Sequence, residues 1–368
     1  MNKKHLTALL AALVCLCLLL SACGASSSPA PTAAPGEAPA ESAAPAPETE
    51  APAAETAAPV ETATPAETGA ALDTELPVRV YTLNGTTGFG MAGLMSRSGA
   101  GEAALSYSFT VESDASNVAA ALVSGECDIA ALPTNAAAAL YNKTEGGVQV
   151  LALNTRGVLY LLSDGTDAVS SFADLAGKTV YVPAQNPSFL FRYLCEANGV
   201  NVTIDNSFAQ PAELNAAVSA GQVSLAVLPE PMVTVACSQN DKLSVALDLT
   251  AEWDKVALPG SLVQGCAVVR RAFAEEHPAE LAAFLEEYKA SVALLTEDPA
   301  TAAEAIAANG IFAKAPVAAK AIPNCNVCFV TGMEMQEQLS AFLSILLEAA
   351  PQSIGGKLPA EDFYYLGA

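Results

Sequence analysis

The chain has 368 residues, 52% of them apolar, and a formal net charge of −23. An acidic excess of this size sets the wrong field for phosphate, so nucleic acid is excluded as a partner. With only two histidines in the whole chain, zinc sites and histidine-dependent nucleophiles have little to draw on.

Taken in chain order, the first segment sets location. Lys3 and Lys4 form a basic start, residues 6–20 are apolar apart from Thr7, and Leu20-Ser21-Ala22-Cys23 closes the run with small residues before a cysteine. This is the pattern of a lipoprotein signal peptide over residues 1–22. Cleavage before Cys23 would leave its thiol carrying lipid, palmitate-type acyl chains that together hold far better than one chain. The apolar run is shorter than the roughly 20 residues a membrane span needs, and no basic stop-transfer cluster follows. The expected location is extracytoplasmic, lipid-anchored to the outer face of the cell membrane.

Residues 23–75 comprise that cysteine and a linker of Ala, Pro, Glu, Thr and Ser. Residues 24–75 hold nine acidic and nine Pro residues, no basic or aromatic one, and only Val60 and Leu72 as larger aliphatics. Nothing there can offset the entropy of ordering, so a stiff, disordered tether is expected.

The remaining 293 residues, 76–368, carry 14 basic and 30 acidic side chains. Their length suits two lobes better than one small core. Most of the six cysteines here, such as Cys266 in Gly265-Cys266-Ala267-Val268, sit in apolar runs where free Cys acts as a small core residue. Apolar patterning predicts strands at 78–83, 106–111, 128–132, 148–153, 158–162, 179–182, 202–207, 224–228 and 264–269. Helices are predicted at 89–98, 115–124, 135–143, 188–198, 211–220 and 231–239, and 272–351 reads as nearly all helical. Strand followed by helix implies an α/β chain with mainly parallel sheets. Crossovers between lobes are expected in the 148–162 run and after Leu258-Pro259-Gly260. Lobe one is then 76–155 plus 263–368 and lobe two is 156–262, the arrangement in which a hinge closes around a ligand.

Open α/β sheets bind ligands at strand ends. Four loops qualify: Asn84 to Gly90, Pro133-Thr134-Asn135, Pro183 to Ser188, and Pro229-Glu230-Pro231. Gly88-x-Gly90-x-x-Gly93, with Glu112 some way on, also matches a dinucleotide fingerprint, although four residues separate it from the strand. A structural turn is the competing reading for the first loop, as are helix caps for Thr134, Asn135 and Glu230. His277 sits in a charged helical stretch and reads as a solvated surface residue. No GxSxG, HExxH or Walker sequence occurs, so no catalytic residue is assigned.

Several of these runs resemble a known family. Gly85-Thr86-Thr87-Gly88, Leu132-Pro133-Thr134-Asn135 through Tyr141-Asn142-Lys143-Thr144, Leu228-Pro229-Glu230-Pro231, and Ser353-Ile354-Gly355-Gly356-Lys357-Leu358-Pro359 with Phe363-Tyr364-Tyr365 look like the substrate-binding lipoproteins of ABC importers in the nitrate, sulfonate and thiamine-precursor class. The resemblance implies a type II periplasmic-binding-protein fold: two α/β lobes joined by a two-segment hinge, with a helical C-terminal return to lobe one. It also implies delivery of a small solute to an ABC permease driven by a separate ATPase, a monomer without cofactor, and no enzymatic role. Many relatives have Pro where this chain has Thr86. Related yeast pyrimidine synthases use a histidine and a cysteine-rich motif that this chain lacks.

The ligand-binding set expected on these grounds is Thr86, Thr87, Thr134 and Asn135 on one side, Gln185, Asn186 and Ser188 on the other, and Glu230 near the hinge. Hydroxyls and amides dominate it. They suit a neutral or heteroaromatic solute stacked on Phe89 or Phe189 better than an oxyanion, although Arg156 and Arg192 keep the anionic option open. An exported adhesion or sensor-partner module without a transported solute is the competing function.

Overall fold

The computed structural model describes residues 72–367. The expected signal peptide, Cys23 and nearly all of the linker lie outside them. Strand β1, Pro77–Leu83, buries Val78 and Val80 completely by strict alternation, the signature of a strand with one face on a core. It pairs in parallel with β2 (Ser106–Glu112) and β3 (Ile129–Pro133). Between them lie α1 (Thr86–Phe89), α2 (Ala92–Gly99) and α3 (Ala115–Ser124), the last capped by the Asp114 side chain on Ser116 N and ended by left-handed Gly125. Helix α4, Thr134–Lys143, follows β3 directly and leads to β4, Val148–Arg156.

Only Gly157 and Val158 separate β4 from β5, Leu159–Ser163, which belongs to a different sheet. That second sheet continues through β6 (Thr179–Tyr181), α5 (Asn186–Ala197), β7 (Thr203–Asp205), α6 (Pro211–Ser219), β8 (Leu225–Pro229), α7 (Met232–Gln239), β9 (Ser244–Asp248) and α8 (Leu249–Trp253). The chain then returns as β10, Val263–Arg270, into the first sheet. Helices α9 (Arg271–Glu276), α10 (Pro278–Glu297), α11 (Pro299–Ala308) and α12 (Ala315–Ala321), strand β11 (Val327–Val330) and helix α13 (Gly332–Ala349) complete the fold. Strand order is β11-β4-β10-β3-β1-β2 in one sheet and β7-β6-β8-β5-β9 in the other. Two α/β lobes with two crossovers and a helical return are therefore present.

Both sheets are mixed, which corrects the mainly parallel expectation. β10 runs antiparallel to β3 and β4, β11 antiparallel to β4, and β5 antiparallel to β8 and β9. For β5 and β10 the cause is the hinge: a strand arriving from the other lobe enters its sheet at the end where the sequential strand–helix units leave. Two strands also escaped the sequence pattern. β9 and β11 are short and only partly buried, so neither shows the apolar run that marks a central strand. β11 interrupts the expected all-helical stretch, and the helix expected at 89–98 is two helices.

Three strands are tied together at Asp128, just before β3. Its carboxylate is 2% exposed and accepts from Arg79 Nε (2.8 Å) and Nη2 (2.6 Å) on β1, Arg79 N (3.1 Å), and Arg270 Nη2 (2.9 Å) on β10. Burial alone would raise the carboxyl pKa, but the two guanidinium groups and the backbone donor hold it below the ordinary value. The largest of three hydrophobic clusters runs through both lobes, joining Leu132 and Val150 to Leu161 and Val227 by way of Trp253 and the α13 residues Leu339, Phe342 and Leu346.

Candidate functional site

Helix α4 begins at the cleft end of β3, and α5 begins at the cleft end of the second sheet. In neither helix does the N-cap side chain bond the backbone N–H groups of the first turn. Asn135 on α4 and Asn186 on α5 meet there: Asn186 Nδ2 donates to Asn135 Oδ1 at 2.7 Å. Together with Gln185, Phe189 and the 349–353 turn they line a cavity of about 430 Å³, within the range of small-molecule sites. None of the nine lining residues is charged. Gln185 holds a φ of 63°, the left-handed region uncommon outside glycine, where its peptide turns into α5.

The far wall was missed in the sequence. Helix α13 ends at Ala349, a 3₁₀ turn follows over Pro351–Ile354, and Gly355 (φ 81°) and Gly356 (φ 84°) reverse the chain. Asn142 fixes this turn by donating from Nδ2 to Ile354 O (2.7 Å) and Lys357 O (2.8 Å). A Cβ on Gly355 would stand 3.0 Å from Asn142 Cβ, so glycine permits the close approach to α4. Tyr141 donates to Asp362, and its ring packs edge-on to fully buried Phe363 at 5.0 Å. The two motifs quoted above, around Asn142 and around Gly355, are thus one structure, and the paired glycines were the signal that could have pointed to it.

Three of the eight expected residues, Asn135, Gln185 and Asn186, come together on the cavity. The other five do not line it. Thr134 is 1% exposed, and its hydroxyl donates to Val263 O (2.7 Å), fastening α4 to the returning hinge strand. Ser188 is buried against Asn206, whose Nδ2 also reaches Val182 O at 2.7 Å. Thr86 is buried in the short α1, and the Thr87 carbonyl accepts from Asn154 Nδ2 at 3.3 Å. Glu230 is 3% exposed and caps α7 through Thr234 N (3.1 Å) and Thr234 Oγ1 (2.9 Å); burial raises its pKa against those hydrogen bonds.

Phe89, expected as a stacking surface, is fully buried edge-on to Phe312, whereas Phe189 is half-buried on the cavity wall. The glycines that resemble a dinucleotide fingerprint are packing positions: a Cβ on Gly90 would lie 2.9 Å from Val292 and one on Gly93 2.9 Å from Ser291 Oγ, both on α10. Arg156 pairs with Glu334 at 3.6 Å, and exposed Arg192 lies along α5 beside Glu196; neither lines the cavity. His277 packs at a tilt against Phe273 between α9 and α10, its ring nitrogens 4.0 Å from Glu276 and 3.9 Å from Glu280.

Two lobes, two crossing segments and a cavity walled from both lobes define the periplasmic-binding-protein fold. Solved structures agree. An ABC transporter protein from Parabacteroides distasonis matches with a TM-score of 0.68 at 23% identity, covering 79% of this chain and 99% of its own. The periplasmic aliphatic sulphonate binding protein SsuA from Escherichia coli gives 0.63 at 15% identity, covering 79% and 92%. The ligand binding component of an ABC-type import system from Staphylococcus aureus, a structure with zinc bound, gives 0.59 at 14%, covering 79% and 96%. No curated protein matches the sequence. The NMT1/THI5 like family model matches residues 102–302, and the chain belongs to that family.

Proposed function

We propose that this protein is the extracytoplasmic solute receptor of an ABC importer, which captures a small molecule by hinge closure and delivers it to a permease with a separate ATPase. The observation that carries this reading is the cavity with one wall from each lobe, bridged by the Asn135–Asn186 hydrogen bond. A solute bound there touches both lobes at once, so binding and closure share one free energy. The lobes are residues 76–155 with 263–368, and 156–262. The receptor works as a monomer, and its role is binding without turnover. Asn135, Gln185 and Asn186 contact the solute. Thr134 and Ser188 hold the helix ends that carry those residues, and Glu230 holds α7.

Cys23 carries the lipid anchor, and residues 24–75 serve as the spacer between membrane and lobes. Replacing Cys23 with Ala is expected to shift the protein from the membrane fraction to the soluble fraction, with its melting temperature unchanged. A thermal-shift screen of small polar and heteroaromatic solutes tests the receptor role. A solute at 100 times its Kd adds about 2.7 kcal/mol of stability. Asn135→Ala and Gln185→Ala should each abolish most of the rise; a solute that binds both variants as it binds the wild type would sink this placement of the cleft.

A further inference from the structure

The first crossing between the lobes is held by more than its own peptide. The turn at 322–326 belongs to the first lobe, since it leads directly into β11, yet its polar groups reach across the crossing. Asn326, at a left-handed φ of 46°, donates from Nδ2 to Gly157 O at 2.6 Å, and its carbonyl accepts from Arg156 N at 3.0 Å. Past the crossing, the Tyr160 hydroxyl on β5 donates to Asn324 O at 2.8 Å. Helix α12, which runs into this turn, packs against α7 of the second lobe.

Glu230 lies at this junction. Its backbone N donates to Val158 O at 2.9 Å, inside the crossing, and the residue is 3% exposed. The groups around its carboxylate are Thr234 and Cys237 of α7, Tyr160 of β5, and Asn324 and Cys325 of the turn. None of these is basic. Lys320, the charged residue of α12, is exposed, and Asp248 on β9 pairs opposite Tyr160. Burial raises the Glu230 pKa against the hydrogen bonds from Thr234 and Asn324.

We propose that the 322–326 turn is a latch on the hinge: closing the lobes fastens it through Tyr160, shuts Glu230 away from water and draws a proton onto that carboxylate. The inference rests on the receptor reading and adds its regulation. When the lobes part, the Tyr160–Asn324 bond breaks and water reaches the carboxylate, which then holds its proton less tightly. The closed form binds the proton better than the open one, so mild acid favours closure and alkaline pH favours opening. The sign is opposite to that of a carboxylate held by guanidinium groups. The cost of the buried charge is present above the raised pKa of the closed form and is relieved as pH falls through it.

Acrylamide quenching of Trp253, the only tryptophan, reads the hinge in the intact chain, because its ring packs between Tyr193 of the second lobe and Phe342 of the first. Quenching of the wild type should fall as pH is lowered from about 8 to about 5, a range above the ordinary Glu value of about 4.3. Glu230→Gln carries no charge to bury and should be protected at both ends of the range. Tyr160→Phe and Asn326→Gly each remove one bond of the latch, the second without straining the left-handed backbone, and should raise quenching in acid. Melting curves establish that each variant is folded. A wild type indifferent to pH, or a Glu230→Gln variant that keeps the wild-type pH response, overturns the coupling to Glu230. Wild-type quenching in both Tyr160→Phe and Asn326→Gly removes the latch. The measurement needs no solute, so its failure is distinct from a silent solute screen, which counts against the receptor reading.

Discussion

Trp253→Ala is expected to cost about 3–5 kcal/mol of stability, the range for deleting a fully buried large aromatic. Trp253 is the only tryptophan in the chain and is completely buried at the end of α8. Its ring lies 4.9 Å from Tyr193 on α5 and 5.8 Å from Phe342 on α13, so it fills the space between the second lobe and the C-terminal helix of the first. Its Nε1 donates to Ser261 Oγ at 2.9 Å, inside the segment that returns to the first lobe. Removing it opens a cavity shared by both lobes and leaves the fully buried Ser261 hydroxyl without its donor. Trp253→Phe keeps most of the volume and should lose about 1–3 kcal/mol, chiefly through the orphaned hydroxyl. Urea melts of the two variants check both figures, and near-equal losses would refute the cavity account. Because both lobes touch this one indole, solute-driven closure should also shift its emission in the wild type.

A second large effect is expected at Asp128. Asp128→Asn leaves Arg79 and Arg270 facing an uncharged amide whose N–H₂ group opposes their donors. Breaking a buried pair costs about 3–5 kcal/mol, and the lower end applies because Arg79 and Arg270 keep side-chain exposures of 39% and 27%. The effect depends on pH in a defined direction. The folded pKa of Asp128 lies below its ordinary value, so the folded state binds fewer protons than the unfolded chain as pH falls. The contribution is complete at neutral pH, begins to fade near the unfolded pKa of about 4, and is lost as pH drops through the folded pKa. Urea melts of wild type and variant should thus differ most at neutral pH and converge in acid. A gap unchanged by acid would show that packing, and not the ion pairs, holds β1, β3 and β10 together at this point.

The helix-and-strand order of the chain was legible because β1, β3, β4, β5, β8 and β10 bury apolar residues in runs or alternation, and the intervening helices begin and end at polar, Gly or Pro turns. The short edge strands β9 and β11 were not, since neither carries a buried apolar run. Of the residues that loops after strands pointed to, Asn135, Gln185 and Asn186 line the cavity. The same reasoning also selected Thr134, Ser188 and Glu230, whose polar atoms are used inside the fold. A hydroxyl or carboxylate at a helix start has the same appearance in sequence whether it faces a solute or caps its own backbone.

The sequence by itself determined what depends on neighbours along the chain: which segments carry apolar runs or alternation, and hence an α/β chain in two lobes, whereas lipid attachment at Cys23, the linker's role and the lobe boundaries stand as proposals. Only the tertiary structure decided that Asn142 and the Gly355-Gly356 turn hold the 349–353 wall of the cavity in place, that Gly90 and Gly93 exist to admit α10, and that Asn135 and Asn186 meet across the cavity. Those outcomes depend on residues up to some 200 positions apart. Their contacts arise when separate elements pack to bury apolar surface, and local propensity carries no record of which distant segment will arrive.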